Sequence, residues 1–254
     1  MQTGFGNKRS SQKYSAGSAD KKSKSLTIKF MDKNNTSKKM EDFGQAFVDG
    51  LNRGVARDNS VFNKYLQNAV ELAIQTHELD QKQKRKGKDI PYIVHPLTVG
   101  LILAKAGAHD AFIAAGILHD VIEDSIPEKK VTRAMIEERF GPMAADMVDD
   151  VSEKNKDLPW KERKIEALEH IKTMEGPSLW IKTADTISNV AELINDYQKD
   201  QYLVFERFNA SKEDIVANYR AVVAALIERW GGLSTNPMVL DLRTLADDLA
   251  ELAD

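Results

Sequence analysis

Cysteine is absent from this 254-residue chain. There is therefore neither a disulfide framework nor a thiolate metal site, and any bound metal must be held by His, Asp or Glu. Long apolar runs are missing too: none approaches the roughly 18 to 20 residues that span a bilayer. The N-terminus lacks the apolar core of a signal peptide, so a cytoplasmic protein with no membrane association is expected. Runs that alternate apolar and polar residues, as half-buried strands do, are also lacking, and no internal repeat is evident.

What is present suits one large or two small globular domains: 42% of the residues are hydrophobic and 30% charged, enough apolar material for a real core. The net charge of −3 hides an asymmetry. Residues 1–40 hold ten Lys or Arg against only Asp20 and Asp32, in a stretch rich in Ser, Asn and Gly. Such a segment cannot bury enough surface to order itself and reads as a disordered, solvated tail. Few aromatics are interleaved with its lysines, which argues against a nucleic-acid-binding arm.

From about residue 42 the pattern is helical. The stretch 60–79 carries Phe62, Leu66, Ala69, Val70, Ala73 and Ile74 at three- and four-residue spacing, which marks one apolar face. Further helices are predicted over 95–107, 110–124, 131–141, 142–153, 160–175, 178–196, 211–230 and 239–253, several of them ending at Gly or Gly-Pro. The segment 110–124 is apolar nearly all round at first, as a central buried helix should be. An all-α, multi-helix fold follows. Leu242, Leu245, Leu249 and Leu252 form one stripe, read as core packing rather than as a dimer seam.

Three stretches carry chemistry. "GILHDVIEDS" (116–125) sets His119 four residues before Glu123 and Asp120 four before Asp124, so on one helix each pair shares a face. "DQKQKRKGKDIPYIVHP" (80–96) packs Lys82, Lys84, Arg85, Lys86 and Lys88 ahead of His95, a charge run that draws anions toward whatever the histidine binds. "IKTADTISNV" (181–190) puts Asp185 and Asn189 on one face, with Lys182 about one turn earlier. In order along the chain, His95, His119, Asp120 and Asp185 supply two imidazoles and two carboxylates. That set suits a divalent ion of the Mn²⁺, Fe²⁺ or Zn²⁺ type with positions left open for water.

The order H…HD…D is that of the HD superfamily of metal-dependent phosphohydrolases. The finer pattern resembles the hydrolase domain of the RelA/SpoT homologue family, which removes pyrophosphate from (p)ppGpp. "RKGKDIPYIVHP" is similar to that family's Arg-Lys loop leading to P-Y-I-x-H-P, "GILHDVIEDS" to its L-L-H-D-x-x-E-D signature, and "IKTADTISNV" to its K-x-A-D-x-x-x-N segment. "DVSEKNKDLPWKERK" (150–164) further resembles the metazoan-type small alarmone hydrolases. The likeness covers roughly residues 60–196.

Carried over residue by residue, the resemblance implies an HD-domain fold in which His95, His119, Asp120 and Asp185 bind Mn²⁺. Glu123 and Asp124 would position and deprotonate the attacking water. Arg85 and Lys86 would hold the nucleotide, Asn189 would contact its ribose, and Lys182 would help with phosphate or packing. Two positions depart from the pattern: Ser125 stands where threonine is common, and Thr186 replaces a basic residue. The implied reaction is removal of the 3′-diphosphate of guanosine tetra- or pentaphosphate, giving GDP or GTP. Alternatives are an HD phosphohydrolase acting on ppApp, NADPH or other nucleotides, or an alarmone-binding protein that neutralises a toxic synthetase. The expected organisation is a tail over 1–40, a hydrolase domain over 41–200, and helices over 201–254 that pack back on it or form a homo-oligomer contact. The segment after Asp196 is too short for the synthetase domain of bifunctional members, so no synthesis is expected.

Overall fold

The computed structural model describes residues 63–174, 176–231 and 235–253, all within one unit, Arg57–Asp254. The expected tail and Phe62 lie outside the described residues. Helix α1 (Lys64–Ile74) is capped by the Asn63 side chain, which accepts from Leu66 N–H, and buries Ala69, Leu72 and Ala73. It passes directly into a π-helical turn, Gln75–Asp80, that buries His77. The basic loop that follows is pinned by an antiparallel bridge between Lys84 and Pro91. Among the described residues this isolated bridge is the only β pairing, in agreement with the all-α expectation.

Next come α2 (Val94–Lys105), α3 (Asp110–Leu118), α4 (Val121–Asp124), α5 (Arg133–Phe140) and α6 (Pro142–Val151), then α7 (Trp160–Thr173) and the 25-residue α8 (Gly176–Asp200). A 3₁₀ segment, Gln201–Arg207, leads to α9 (Lys212–Trp230) and α10 (Pro237–Ala253). Helix α3 is the central element: residues 112–118 are all buried, and it packs on α1, α2, α6 and α8. Its apolar girth, rather than one stripe, is what lets four neighbours surround it.

The close crossing of α2 and α3 depends on two glycines. A Cβ on Gly116 would stand 2.3 Å from Leu103 Cδ1, and one on Gly100 would stand 2.6 Å from Ile117 Cγ1. Each helix thus lets in a side chain of the other, which brings His95 on α2 beside His119 at the end of α3. Helix α10 packs on α8 and α9, with Leu242, Leu245, Leu249 and Leu252 buried within the chain.

The structure corrects one sequence expectation. Residues 110–124 do not form one helix; the α-helix stops at Leu118, turns through His119 and Asp120, and restarts at Val121. The reason is local: the His119 Nδ1–H donates to the Gly116 carbonyl at 2.8 Å, occupying the acceptor that the next main-chain N–H would have used. Asp120 sits at φ −100°, ψ −5° in that turn. Asp124 N–H still donates to the Asp120 carbonyl at 2.8 Å, so Glu123 and Asp124 follow one turn on.

Candidate functional site

Four ligand-type atoms converge where α2, α3 and α8 meet. His95 Nε2 lies 3.3 Å from Asp185 Oδ1 and 3.9 Å from Asp120 Oδ2. His119 Nε2 lies 2.9 Å from Asp120 Oδ2 and 3.9 Å from Asp185 Oδ1. The ligand atoms of His95, His119 and Asp120 fall within 4.8 Å of one another, and the Asp185 carboxylate closes the fourth side. Both imidazoles are buried and oriented from behind. The other nitrogen of His119 is committed to Gly116, and that of His95 lies 3.0 Å from Ser188 Oγ. Fixing Nδ1 in this way aims Nε2 inward, as in metal-binding histidines.

The carboxylates are held from behind too. Tyr92 donates its hydroxyl to Asp120. Lys182 Nζ lies 2.9 Å from Asp185 Oδ2, and Asn189 Nδ2 donates to Asp185 Oδ1 at 2.6 Å. Burial works against ionisation of both aspartates, yet His119 beside Asp120 and Lys182 beside Asp185 hold their carboxyls well below the usual range. Burial alone would lower the His119 pKa, but Asp120 pushes it up to about 9. A divalent cation held by the same four atoms would take the place of that proton. Two imidazoles, two carboxylates and no thiolate fit such an ion.

Around this centre the structure places the other sequence-predicted residues. Glu123 Oε2 accepts the Glu153 N–H at 3.0 Å, and its Oε1 lies 3.2 Å from Lys156 Nζ. Burial and the nearby Asp120 charge raise the Glu123 pKa. Asp124 Oδ2 accepts the Gln83 amide at 3.0 Å. Arg85 donates to Asn189 Oδ1 at 3.0 Å and through Nε to Glu192 at 2.9 Å, and its guanidinium lies 5.5 Å from the Tyr92 ring centre. The basic loop therefore reaches the His/Asp cluster through Asn189. Lys86 is exposed, with its ammonium 5.4 Å from the Phe208 ring centre. Lys182 points at Asp185, and Thr186 is buried.

Sequence reasoning missed the residues that hold these groups in place. His77 is fully buried, and its Nδ1 lies 2.9 Å from Gln83 Oε1. Because the Asp124 carboxylate only accepts, the Gln83 amide nitrogen must face it, the Gln83 oxygen faces His77, and His77 Nδ1–H is the donor. Glu192, paired to both Arg85 and Lys88, was equally unmarked. A glutamine within a lysine run and a histidine within a helical period look ordinary in isolation. The only available signal was that His77 lies on the apolar side of the 60–79 pattern.

Comparison with known proteins agrees with this geometry. A family model described as "HD domain" matches residues 69–216, more than half of the chain. A guanosine-3′,5′-bis(diphosphate) 3′-pyrophosphohydrolase of Aquifex aeolicus is 36% identical over 131 residues, 50% of this chain but only 18% of that protein. The corresponding enzyme MESH1 of Xenopus tropicalis is 32% identical over 127 residues, 49% of this chain and 67% of that one. The solved structure of a metazoan SpoT orthologue that hydrolyses ppGpp superimposes with a TM-score of 0.57 at 22% identity, covering 73% of this chain and 96% of that one, and so shares the fold. The chain belongs to the HD domain family, as a homologue of the MESH1 and SpoT-type pyrophosphohydrolases.

Proposed function

We propose that this protein is a (p)ppGpp hydrolase that releases the 3′-diphosphate as pyrophosphate and leaves GDP or GTP. The observation that carries the reading is the convergence of His95, His119, Asp120 and Asp185, flanked on one side by Glu123 and Asp124 and on the other by Arg85 and Asn189. The activity of homologues that share this domain supports the choice of substrate. A nucleotide substrate of this kind belongs to the cytoplasm. Among the described residues no helix is long and apolar enough to cross a membrane.

His95, His119, Asp120 and Asp185 would hold a divalent ion, which we assign as Mn²⁺, and when bound it would supply Lewis acidity and offset charge on the phosphate. Asp124, oriented by Gln83, and Glu123 hold the attacking water and take its proton. The water oxygen bonds to the 3′-phosphorus, the bond from phosphorus to the ribose 3′-oxygen breaks, and that oxygen gains a proton. Asn189 ties the nucleotide-holding Arg85 to the metal ligand Asp185, so the nucleotide and the reacting phosphate share one frame. Lys86, exposed in the basic loop, contributes a positive charge, and Lys182 neutralises Asp185 rather than reaching freely for substrate.

The test separates the metal from the water. Asp120→Ala should lose metal and activity together, because a ligand is gone. Asp124→Asn should keep its metal and its nucleotide affinity while losing about 10² to 10⁴ in rate, the usual contribution of a proton acceptor. Elemental analysis and single-turnover pyrophosphate release measure both. A metal-free Asp124→Asn beside a metal-loaded Asp120→Ala would reverse the roles and refute the mechanism.

A further inference from the structure

A cavity of about 240 Å³ borders the metal ligands His119, Asp120 and Asp185 and reaches Glu123. Four cations also line it, Lys154, Arg163, Lys164 and Lys182, together with the carboxylates of Asp150, Glu153 and Glu166. Three of the cations are already paired. Lys154 lies 2.7 Å from Asp149, Arg163 lies 2.8 Å from both oxygens of Glu153, and Lys182 lies 2.9 Å from Asp185.

Lys164 differs. Among the described residues no carboxylate comes within 4.0 Å of its ammonium, although the side chain is only partly exposed. Glu153 and Asp185 act on it from farther away, while burial, Lys182 and Arg163 all disfavour its charge. The Nε of Arg163 is buried and has no hydrogen-bond partner, so a second donor in the same wall is unsatisfied. A half-buried cation with no carboxylate in contact, as Lys164 is, is costly unless an anion completes it. The cavity that Lys164 lines also borders His119, Asp120 and Asp185. Lys182, expected from the sequence to help with phosphate, is paired with Asp185 instead.

We propose that Lys164 forms the subsite for the terminal phosphate of the 3′-diphosphate and for the pyrophosphate that departs. Its ligand class is a compact diphosphate, free or esterified, rather than the nucleoside. The inference rests on the hydrolase reading above and adds a residue to it. The arrangement divides the labour: Arg85 and Asn189 hold the nucleotide, and Lys164 holds the product that has no base.

The experiment is equilibrium binding of inorganic pyrophosphate, and separately of GDP, to the full chain in the presence of Mn²⁺. Wild type, Lys164→Gln and Lys164→Arg are compared, with metal content and melting temperature recorded for each. Lys164→Gln should weaken pyrophosphate binding on the order of tenfold to a hundredfold, the range expected for a lost charge-assisted contact. GDP affinity, metal content and melting temperature should stay near wild type, and Lys164→Arg should keep most of the pyrophosphate affinity. Unchanged pyrophosphate affinity in Lys164→Gln, or a parallel loss of GDP affinity, overturns the assignment while leaving the hydrolase reading intact. A wild-type protein that binds neither ligand overturns both.

Discussion

Gln83 is where the basic loop and the water-handling turn meet, so replacing it with leucine tests the geometry most sharply. Its side chain donates to Asp124 at 3.0 Å and accepts from His77 at 2.9 Å. Its main chain is pinned at both ends, by N–H to the His77 carbonyl at 2.8 Å and by its own carbonyl to Tyr92 N–H at 2.9 Å. Leucine keeps the size and those two main-chain bonds but removes the donor to the carboxylate. Hydrogen bonds to charged groups are worth about 1.5 to 3 kcal/mol. If that interaction serves the transition state, kcat should fall roughly tenfold to 150-fold at about 1.36 kcal/mol per decade. Metal content should not change, since no ligand is touched. The fully buried His77 loses its acceptor, which costs about 1 to 3 kcal/mol of stability. For a unit of this size, each kcal/mol corresponds to roughly 2 to 4 °C in Tm. Steady-state pyrophosphate release and thermal denaturation are the assays. In an Asp124→Asn background the same leucine substitution should cost less than about twofold in rate, because the group that Gln83 orients no longer acts as a base. A Gln83→Leu enzyme with near-wild-type kcat, or one whose loss adds in full to that of Asp124→Asn, refutes the reasoning.

Lys86→Ala removes an exposed cation in the basic loop and should lower kcat/KM for ppGpp on the order of tenfold to a hundredfold; equal turnover of GTP and ppGpp by the wild type would rule out the substrate class. Glu192 supplies the pH signature. Burial opposes its charge, but hydrogen bonds from Arg85 and Lys88 bring its pKa down to about 2. A depressed carboxyl stabilises above its unfolded pKa and loses that contribution as pH falls through the folded one. The stability gap between wild type and Glu192→Gln should therefore be full at neutral pH and shrink from about pH 4.5, near the ordinary Glu value, toward pH 2; a gap in urea midpoints that ignores pH would contradict the pairing. Gly116→Ala places a methyl 2.3 Å from the buried Leu103 Cδ1, an overpacking that costs about 1 to 3 kcal/mol. It should also weaken metal binding by parting His119 from His95, and calorimetric titration with unchanged affinity and stability would disprove the role given to that crossing.

The sequence by itself determined the helices and the ordered series of His and Asp residues that meet in the cluster. Apolar spacing of three and four residues states which face of a segment seeks the core, and that information is local. This is why the bounds predicted for α2, α5, α7, α9 and α10 fall within a few residues of those observed. The cluster of His95, His119, Asp120 and Asp185, which we propose as ligands, was legible because such chemistry is sparse in a chain with no cysteine and only five histidines. Tertiary structure alone decided the rest. The break at His119–Asp120 comes from one side chain taking a helix acceptor, which periodicity does not encode. Gln83 meets Asp124 across 41 positions, and Arg85 meets Asn189 across 104, only because α1, α3 and α8 pack together. Whether Lys182 faces substrate or Asp185, and whether Lys164 keeps an unpaired charge, depends on which side chains the fold brings within hydrogen-bonding distance. Hydrophobic periodicity acts along a helix, whereas hydrogen bonds and ion pairs act over a few ångströms between helices, so partners distant in sequence are chosen only when the core closes.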